Sequence, residues 1–159
     1  MKSEIIKMGK FLPLMEEFYS LQGEGYNVGM ASYFVRLGGC DIGCYWCDEK
    51  QYWDSARKED FVSTEMIIEK IINSKVKTVV ITGGEPLKFN LDFLCSKLNE
   101  NGIKTHLETS GANKMSGFWD WICISPKIEN KYLLENLKKA NELKVIITGE
   151  EDFKWAEYN

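Results

Sequence analysis

Histidine is nearly absent: His106 stands alone in 159 residues, well away from the cysteines. No apolar run approaches the roughly 18 residues that span a bilayer, and the opening MKSEIIKMGK lacks the apolar core of a secretory leader. There is no excess of base. Twenty-four acids against 20 bases give a net charge of −4, which argues against a nucleic-acid-binding surface. No internal repeat, low-complexity tract or linker interrupts the chain, and its length suits one domain. An even, spread-out cysteine framework is also missing. The five cysteines are odd in number, and three crowd into eight residues. That pattern belongs to metal or redox chemistry rather than to disulfides. The expectation is a soluble cytoplasmic protein.

What is present alternates short β-branched runs with helical ones. Strands are expected at Tyr33–Leu37, Thr78–Ile81, Lys104–Glu108, Trp121–Ile124 and Leu143–Ile147. Helices are expected at Thr64–Ile72 behind Ser63, after Asn90 with Leu91, Leu94, Cys95 and Leu98 on one face, over Lys131–Lys139, and over Glu150–Tyr158. Gly102 suits a helix C-terminus. Strands separated by helices imply βαβ units and a mostly parallel sheet. Ligands gather at the carboxyl ends of such strands. Glycines and polar residues collect there: Gly38-Gly39-Cys40, Thr82-Gly83-Gly84-Glu85, Glu108-Thr109-Ser110-Gly111 and Ser125-Pro126-Lys127.

Two constellations carry chemistry. Cys40, Cys44 and Cys47 place three thiolates on one tight loop. Soft thiolates select iron–sulfur clusters, zinc or copper(I). Structural zinc needs four ligands, and no fourth is evident nearby. Three thiolates can hold three corners of a cubane and leave one iron open. Gly83-Gly84 allows close backbone approach to a ligand, and the Glu85 carboxylate can accept from an ammonium. A plain strand-to-helix turn accounts for the same residues. Cys95 and Cys123 sit in apolar patterns and read as buried small hydrophobes; His106 reads as a packing residue. Of the five tryptophans, only Trp46 is tied to a site.

Cys40-x3-Cys44-x-Trp46-Cys47 followed by Gly83-Gly84-Glu85-Pro86 resembles the radical S-adenosylmethionine (SAM) superfamily. The further segments Glu17 to Gly25, Arg36 to Asp41, Cys47-Asp48, Glu108 to Gly111 and Ser125 to Lys127 resemble the 7-carboxy-7-deazaguanine synthase family. The resemblance implies an α/β fold: an abbreviated partial (βα) barrel, residues 31–159, behind an N-terminal extension, residues 1–30, that carries a substrate segment. It implies conversion of 6-carboxy-5,6,7,8-tetrahydropterin to 7-carboxy-7-deazaguanine with loss of ammonia. It implies a 4Fe-4S cluster on Cys40, Cys44 and Cys47, SAM, and Mg2+. Around SAM it places Tyr45, Trp46, Asp48, Gly83, Gly84, Glu85, Glu108, Ser110, Ser125 and Lys127. Around the substrate it places Leu21, Gln22, Gly23, Glu24, Arg36 and Thr82, with Arg36 as clamp for the substrate carboxylate.

Two departures stand out. The family commonly has threonine or serine where this sequence has Glu49, so Glu49 is the candidate magnesium ligand. The family also continues with a strand bearing Leu-Gln-Pro, whereas this sequence reads to Asn159. The tail or a partner is then expected to cover the site, with Trp155 at least partly buried. The implied partners are a flavodoxin-like reductant and a second copy of the chain, with no nucleic acid and no membrane. The rival readings are another radical SAM enzyme of activase type, or a non-catalytic cluster- or SAM-binding protein.

Overall fold

The structure, a computed structural model, describes residues 2–54, 61–128 and 132–158. Its elements in chain order are α1 (Lys2–Lys7), β1 (Phe11–Leu21), β2 (Ala31–Leu37), β3 (Phe61–Ser63), α2 (Thr64–Asn73), β4 (Thr78–Gly83), α3 (Asp92–Glu100), β5 (Lys104–Thr109), β6 (Trp121–Ile124), α4 (Leu134–Leu137), β7 (Glu142–Leu143) and α5 (Glu150–Tyr158). The strands form one sheet in the order β3-β1-β2-β4-β5-β6-β7. Strands β2, β4, β5, β6 and β7 run parallel, while β1 is antiparallel to both β2 and β3.

Alternation along each strand divides the sheet into two faces. On one face Val35, Leu37, Val79, Ile81, Leu107, Ile122 and Ile124 meet Ile67, Ile68 and Ile71 of α2 and Leu94, Cys95 and Leu98 of α3 in a single buried cluster. Burying each such aliphatic side chain contributes about 1.5–3 kcal/mol. On the other face the register aligns Glu16 with Arg36 and Arg36 with Thr82, and Glu108 lies one step further on β5. A polar row therefore crosses four neighbouring strands on the face away from α2 and α3.

The helix boundaries follow local chemistry. Ser63 precedes α2 but makes no side-chain cap. Asn90, the expected cap of α3, lies one residue before the N-cap, Leu91, where its Oδ1 accepts from Asp92 N at 2.9 Å in a local turn. Gly102 takes φ +68° after α3, as a C-terminal glycine does. Cys95 and Cys123 are buried, and burial pushes both thiols up to about 12. His106 is buried too and packs at an angle on Trp121.

The structure differs from the sequence reading in four places. Much of the stretch read as an extension is β1, an inner strand of the sheet. Strand β3 had no visible signal in its three residues. The helix expected over Lys131–Lys139 is confined to Leu134–Leu137; Lys131 lies outside the described residues. The strand expected at Leu143–Ile147 ends at Leu143. Its neighbour β6 stops at Ile124, and Pro126 beyond it has no N–H to extend the ladder. Lys144 N still donates to Ile124 O at 2.8 Å, and the chain then leaves the sheet. Helix α5 matches its expected range, with Trp155 partly buried edge-on to Tyr132.

Candidate functional site

The cysteine loop springs from the carboxyl end of β2. Gly39 and Gly43 adopt φ +82° and +72°, which bends the loop tightly. Gly39 N donates to Tyr52 O at 2.7 Å, Cys40 N to Trp53 O at 3.2 Å, and Cys47 N to Cys44 O at 3.1 Å. Asn113 Nδ2, from the loop after β5, donates to Asp41 Oδ1 at 3.3 Å. Cys40, Cys44 and Cys47 are free and partly exposed. Burial pushes the Cys44 thiol up, Cys40 and Cys47 push the same way, and Lys127 opposes them. Among the described residues, no three histidine, cysteine or acidic groups close on a single metal ion. A lone zinc would draw its sulfurs to roughly 3.8 Å of one another, from Zn–S bonds of about 2.3 Å. Three unpaired thiols on one anchored loop fit a cluster, in which each thiolate takes its own iron.

The loop after β4 is locked to the root of the cysteine loop. Gly84 N donates to Leu37 O at 2.8 Å and Glu85 N to Gly39 O at 3.0 Å. A Cβ on Gly84 would lie 2.5 Å from Gly39 O and 3.2 Å from Cys40 Cβ. Gly83 has φ +124°, and a Cβ there would lie 2.2 Å from Leu37 O. These glycines are required by the contact between the two loops.

Glu85, expected beside SAM, is 1% exposed and surrounded by donors from the protein. Oε1 accepts from Leu87 N at 2.9 Å and Thr109 Oγ1 at 2.6 Å. Oε2 accepts from Ser110 N at 2.9 Å and from Ser110 Oγ. Glu85 shapes the loop after β5. Ser110, expected at SAM, is buried and spends its hydroxyl on Glu85. Asn136, fully buried, ties down the same region by donating to Gly111 O at 2.9 Å and Asn113 O at 2.8 Å.

Other expected SAM residues do converge. Lys127 Nζ donates to Ser125 O and Oγ, both at 2.7 Å, and lies 5.2 Å from the Trp46 ring centroid. Burial pulls the Lys127 ammonium down, and the neighbouring Cys44, Glu85 and Cys40 pull it up. Tyr45 and Asp48 are exposed on the cysteine loop.

Of the expected substrate residues, Gln22 and Thr82 meet at Glu108. Gln22 Nε2 donates to Glu108 Oε1 at 2.9 Å, and Thr82 Oγ1 donates to Glu108 Oε2 at 3.1 Å. Glu108, expected beside SAM, therefore joins Gln22 and Thr82. Leu21 ends β1 exposed, and around Gly23 a Cβ would meet nothing within 4 Å. Glu24 Oε2 pairs with Lys144 Nζ at 2.8 Å, while Glu24 N donates to Gln22 Oε1 at 3.3 Å. Gln22, Glu24, His106, Glu108, Trp121 and Lys144 line one cleft.

The chain matches the radical SAM superfamily over residues 34–148. It is 47% identical to the 7-carboxy-7-deazaguanine synthase of Flavobacterium psychrophilum, covering 96% of this chain and 71% of that protein. It is also 47% identical to that of Synechocystis, covering 91% of this chain and 69% of that protein. The crystal structure of QueE from Escherichia coli superposes with a TM-score of 0.86 at 30% identity, over 99% of this chain and 80% of that one. The chain belongs to the 7-carboxy-7-deazaguanine synthases of the radical SAM superfamily. The family's cofactors are a 4Fe-4S cluster and SAM, and the three-cysteine loop suits the first.

Magnesium fits less well. Glu49 Oε1 is 3.4 Å from Arg36 Nη1, and its Oε2 accepts from Gln51 Nε2. The candidate ligand is held by a guanidinium and an amide. Arg36 is not an open clamp either, since Glu16 lies 3.3 Å from its Nε. Sequence reasoning also missed Trp121, Glu142 and Lys144. Trp121 stacks on Tyr26 with ring centroids 5.0 Å apart, and its Nε1 donates to Glu142 Oε2 at 3.1 Å. A charged lysine inside the apolar run LKVII was the available signal for Lys144.

Proposed function

We propose that this chain carries out its family's ring contraction, taking 6-carboxy-5,6,7,8-tetrahydropterin to 7-carboxy-7-deazaguanine with loss of ammonia. The observation that carries this reading is the meeting of Gln22, Thr82 and Glu108 beside Arg36 on one face of the sheet, next to the cysteine loop. Cluster and SAM, when bound, supply the radical that removes a hydrogen from the substrate.

The chain's own residues bind, orient and shield. Glu108 presents two carboxylate oxygens that now accept from an amide and a hydroxyl. The N–H-rich edge of a pterin can take the place of either donor without leaving the carboxylate unpaired. Arg36 supplies the positive charge for the substrate carboxylate. Lys127 puts a cation beside the thiolates and the Trp46 ring, where it offsets negative charge. Trp121 lines the cleft and stacks on the exposed Tyr26 ring. The Glu24–Lys144 pair links the β1–β2 loop to the segment after β7.

The electron comes from a flavodoxin-like reductant, and the working form is a homodimer, in the cytoplasm. In support of an aqueous setting, no helix among the described residues is long and apolar enough to cross a membrane. The test is anaerobic reconstitution with iron and sulfide, followed by SAM, dithionite and the carboxylated tetrahydropterin. The deazaguanine product, followed by mass spectrometry, is expected. A fully loaded cluster with no product from this pterin would refute the assignment.

A further inference from the structure

Arg36 is already occupied. Its Nε lies 3.3 Å from Glu16 Oε2 and its Nη1 3.4 Å from Glu49 Oε1. Neither contact is the parallel two-bond fork that a guanidinium forms with a carboxylate at about 2.7–2.9 Å. Arg36 Nε is buried and makes no hydrogen bond, so its nearness to Glu16 is an ion contact without alignment. The Phe18 ring lies below, 5.7 Å from the guanidinium carbon. This arginine is charge-neutralised but under-bonded, and its buried donor suits a better-aligned acceptor.

The two carboxylates differ in how they are held. Glu16 sits on β1, directly across from Arg36 in the strand register. Glu49 sits on the loop two residues after Cys47, is about one-third exposed, and keeps Gln51 Nε2 on its other oxygen. Glu49 can let go of Arg36 and remain solvated and hydrogen-bonded. Glu16 is about half exposed and is rooted on a paired strand rather than on a loop.

We propose that Glu49 is a placeholder carboxylate: it occupies Arg36 in the empty site and is displaced by the carboxylate of the incoming pterin. The inference rests on Arg36 being the substrate's carboxylate clamp. Without substrate, the guanidinium is then kept neutralised on the sheet face it shares with Glu16 and Thr82. A ligand gains Arg36 only by outcompeting Glu49, which a carboxylate carried on a pterin ring held at the same time by Gln22, Thr82 and Glu108 can do. A pterin without a carboxylate leaves the Arg36–Glu49 pair untouched.

The test is fluorescence titration of the cluster-loaded protein with 6-carboxypterin and with unsubstituted pterin, without SAM, with and without Mg2+. Glu49→Gln and Glu49→Ala are each compared with the unaltered chain and with Arg36→Gln. Removing the placeholder is expected to tighten 6-carboxypterin about two- to fivefold, the range for exposed ion pairs, and to leave pterin unchanged. The gain is expected to vanish in the Arg36→Gln background, where no pair exists to break. Unchanged or weaker binding of 6-carboxypterin overturns the inference. So does an equal change for both ligands, which marks a structural effect of the loop. Weaker binding seen only with Mg2+ also overturns it, by making Glu49 a cation ligand. If the unaltered chain binds neither ligand, the proposed function fails first. If it binds both equally, the clamp role of Arg36 fails.

Discussion

Glu85→Gln separates a structural carboxylate from a cofactor contact. Glu85 is buried and accepts from two backbone N–H groups and two hydroxyls, two donors on each oxygen. Glutamine keeps the shape but offers an acceptor on one side only. Its amide nitrogen must face a donor pair on the other side. A hydroxyl there can turn and accept, but the backbone N–H, of Leu87 or of Ser110, cannot. One buried N–H is then left unpaired, at about 1–3 kcal/mol. The bonds that remain lose the strength a charged acceptor gave them. The total is about 3 kcal/mol, a large part of a stability on the order of 5–15 kcal/mol. Urea unfolding of the cluster-free protein measures it, with no SAM present. A loss below about 1 kcal/mol, together with weakened SAM binding, would refute the reasoning and return Glu85 to the cofactor.

Other expected outcomes rest on separate observations. Cys40→Ala, Cys44→Ala and Cys47→Ala are each expected to abolish loading of about four irons per chain, while Cys95→Ala and Cys123→Ala retain it; iron analysis after anaerobic reconstitution decides. Gly84→Ala forces a Cβ against Gly39 O and Cys40 Cβ, so it is expected to lose the cluster, whereas Gly23→Ala, facing open space, keeps it; absorbance of the reconstituted proteins distinguishes them. The buried Cys95 and Cys123 thiols stay protonated to about 12, against 9.0 for a free thiol. Above pH 9 the unfolded chain releases these protons and the folded chain does not. Their contribution is therefore complete below pH 9 and falls as pH rises toward 12, by at most about 1.4 kcal/mol per pH unit per thiol, measurable by urea unfolding across that range.

The cysteine loop, the glycines after β4 and the parallel strands alternating with helices were legible in the sequence because their causes are local. Three thiolates within eight residues need no tertiary contact to be recognised. A β-branched run such as Thr78–Ile81, ending in glycines, announces a buried strand and a ligand loop in the same few residues. Strand β1 was not legible as part of the sheet, since its place depends on pairing with β2 on one side and distant β3 on the other. The length of β7 was decided by its neighbour, because a ladder cannot outrun the strand it pairs with. Within the site, sequence indicated residue types and tertiary structure decided their partners. Glu85 and Glu108 look alike as carboxylates at the ends of strands. The fold buries one among four protein donors and opens the other to a cleft. Arg36 and Glu49 are separated by 13 positions, and Glu24 and Lys144 by 120. Charge pairing at such distances is fixed by where the sheet brings the chain back, which no local pattern encodes.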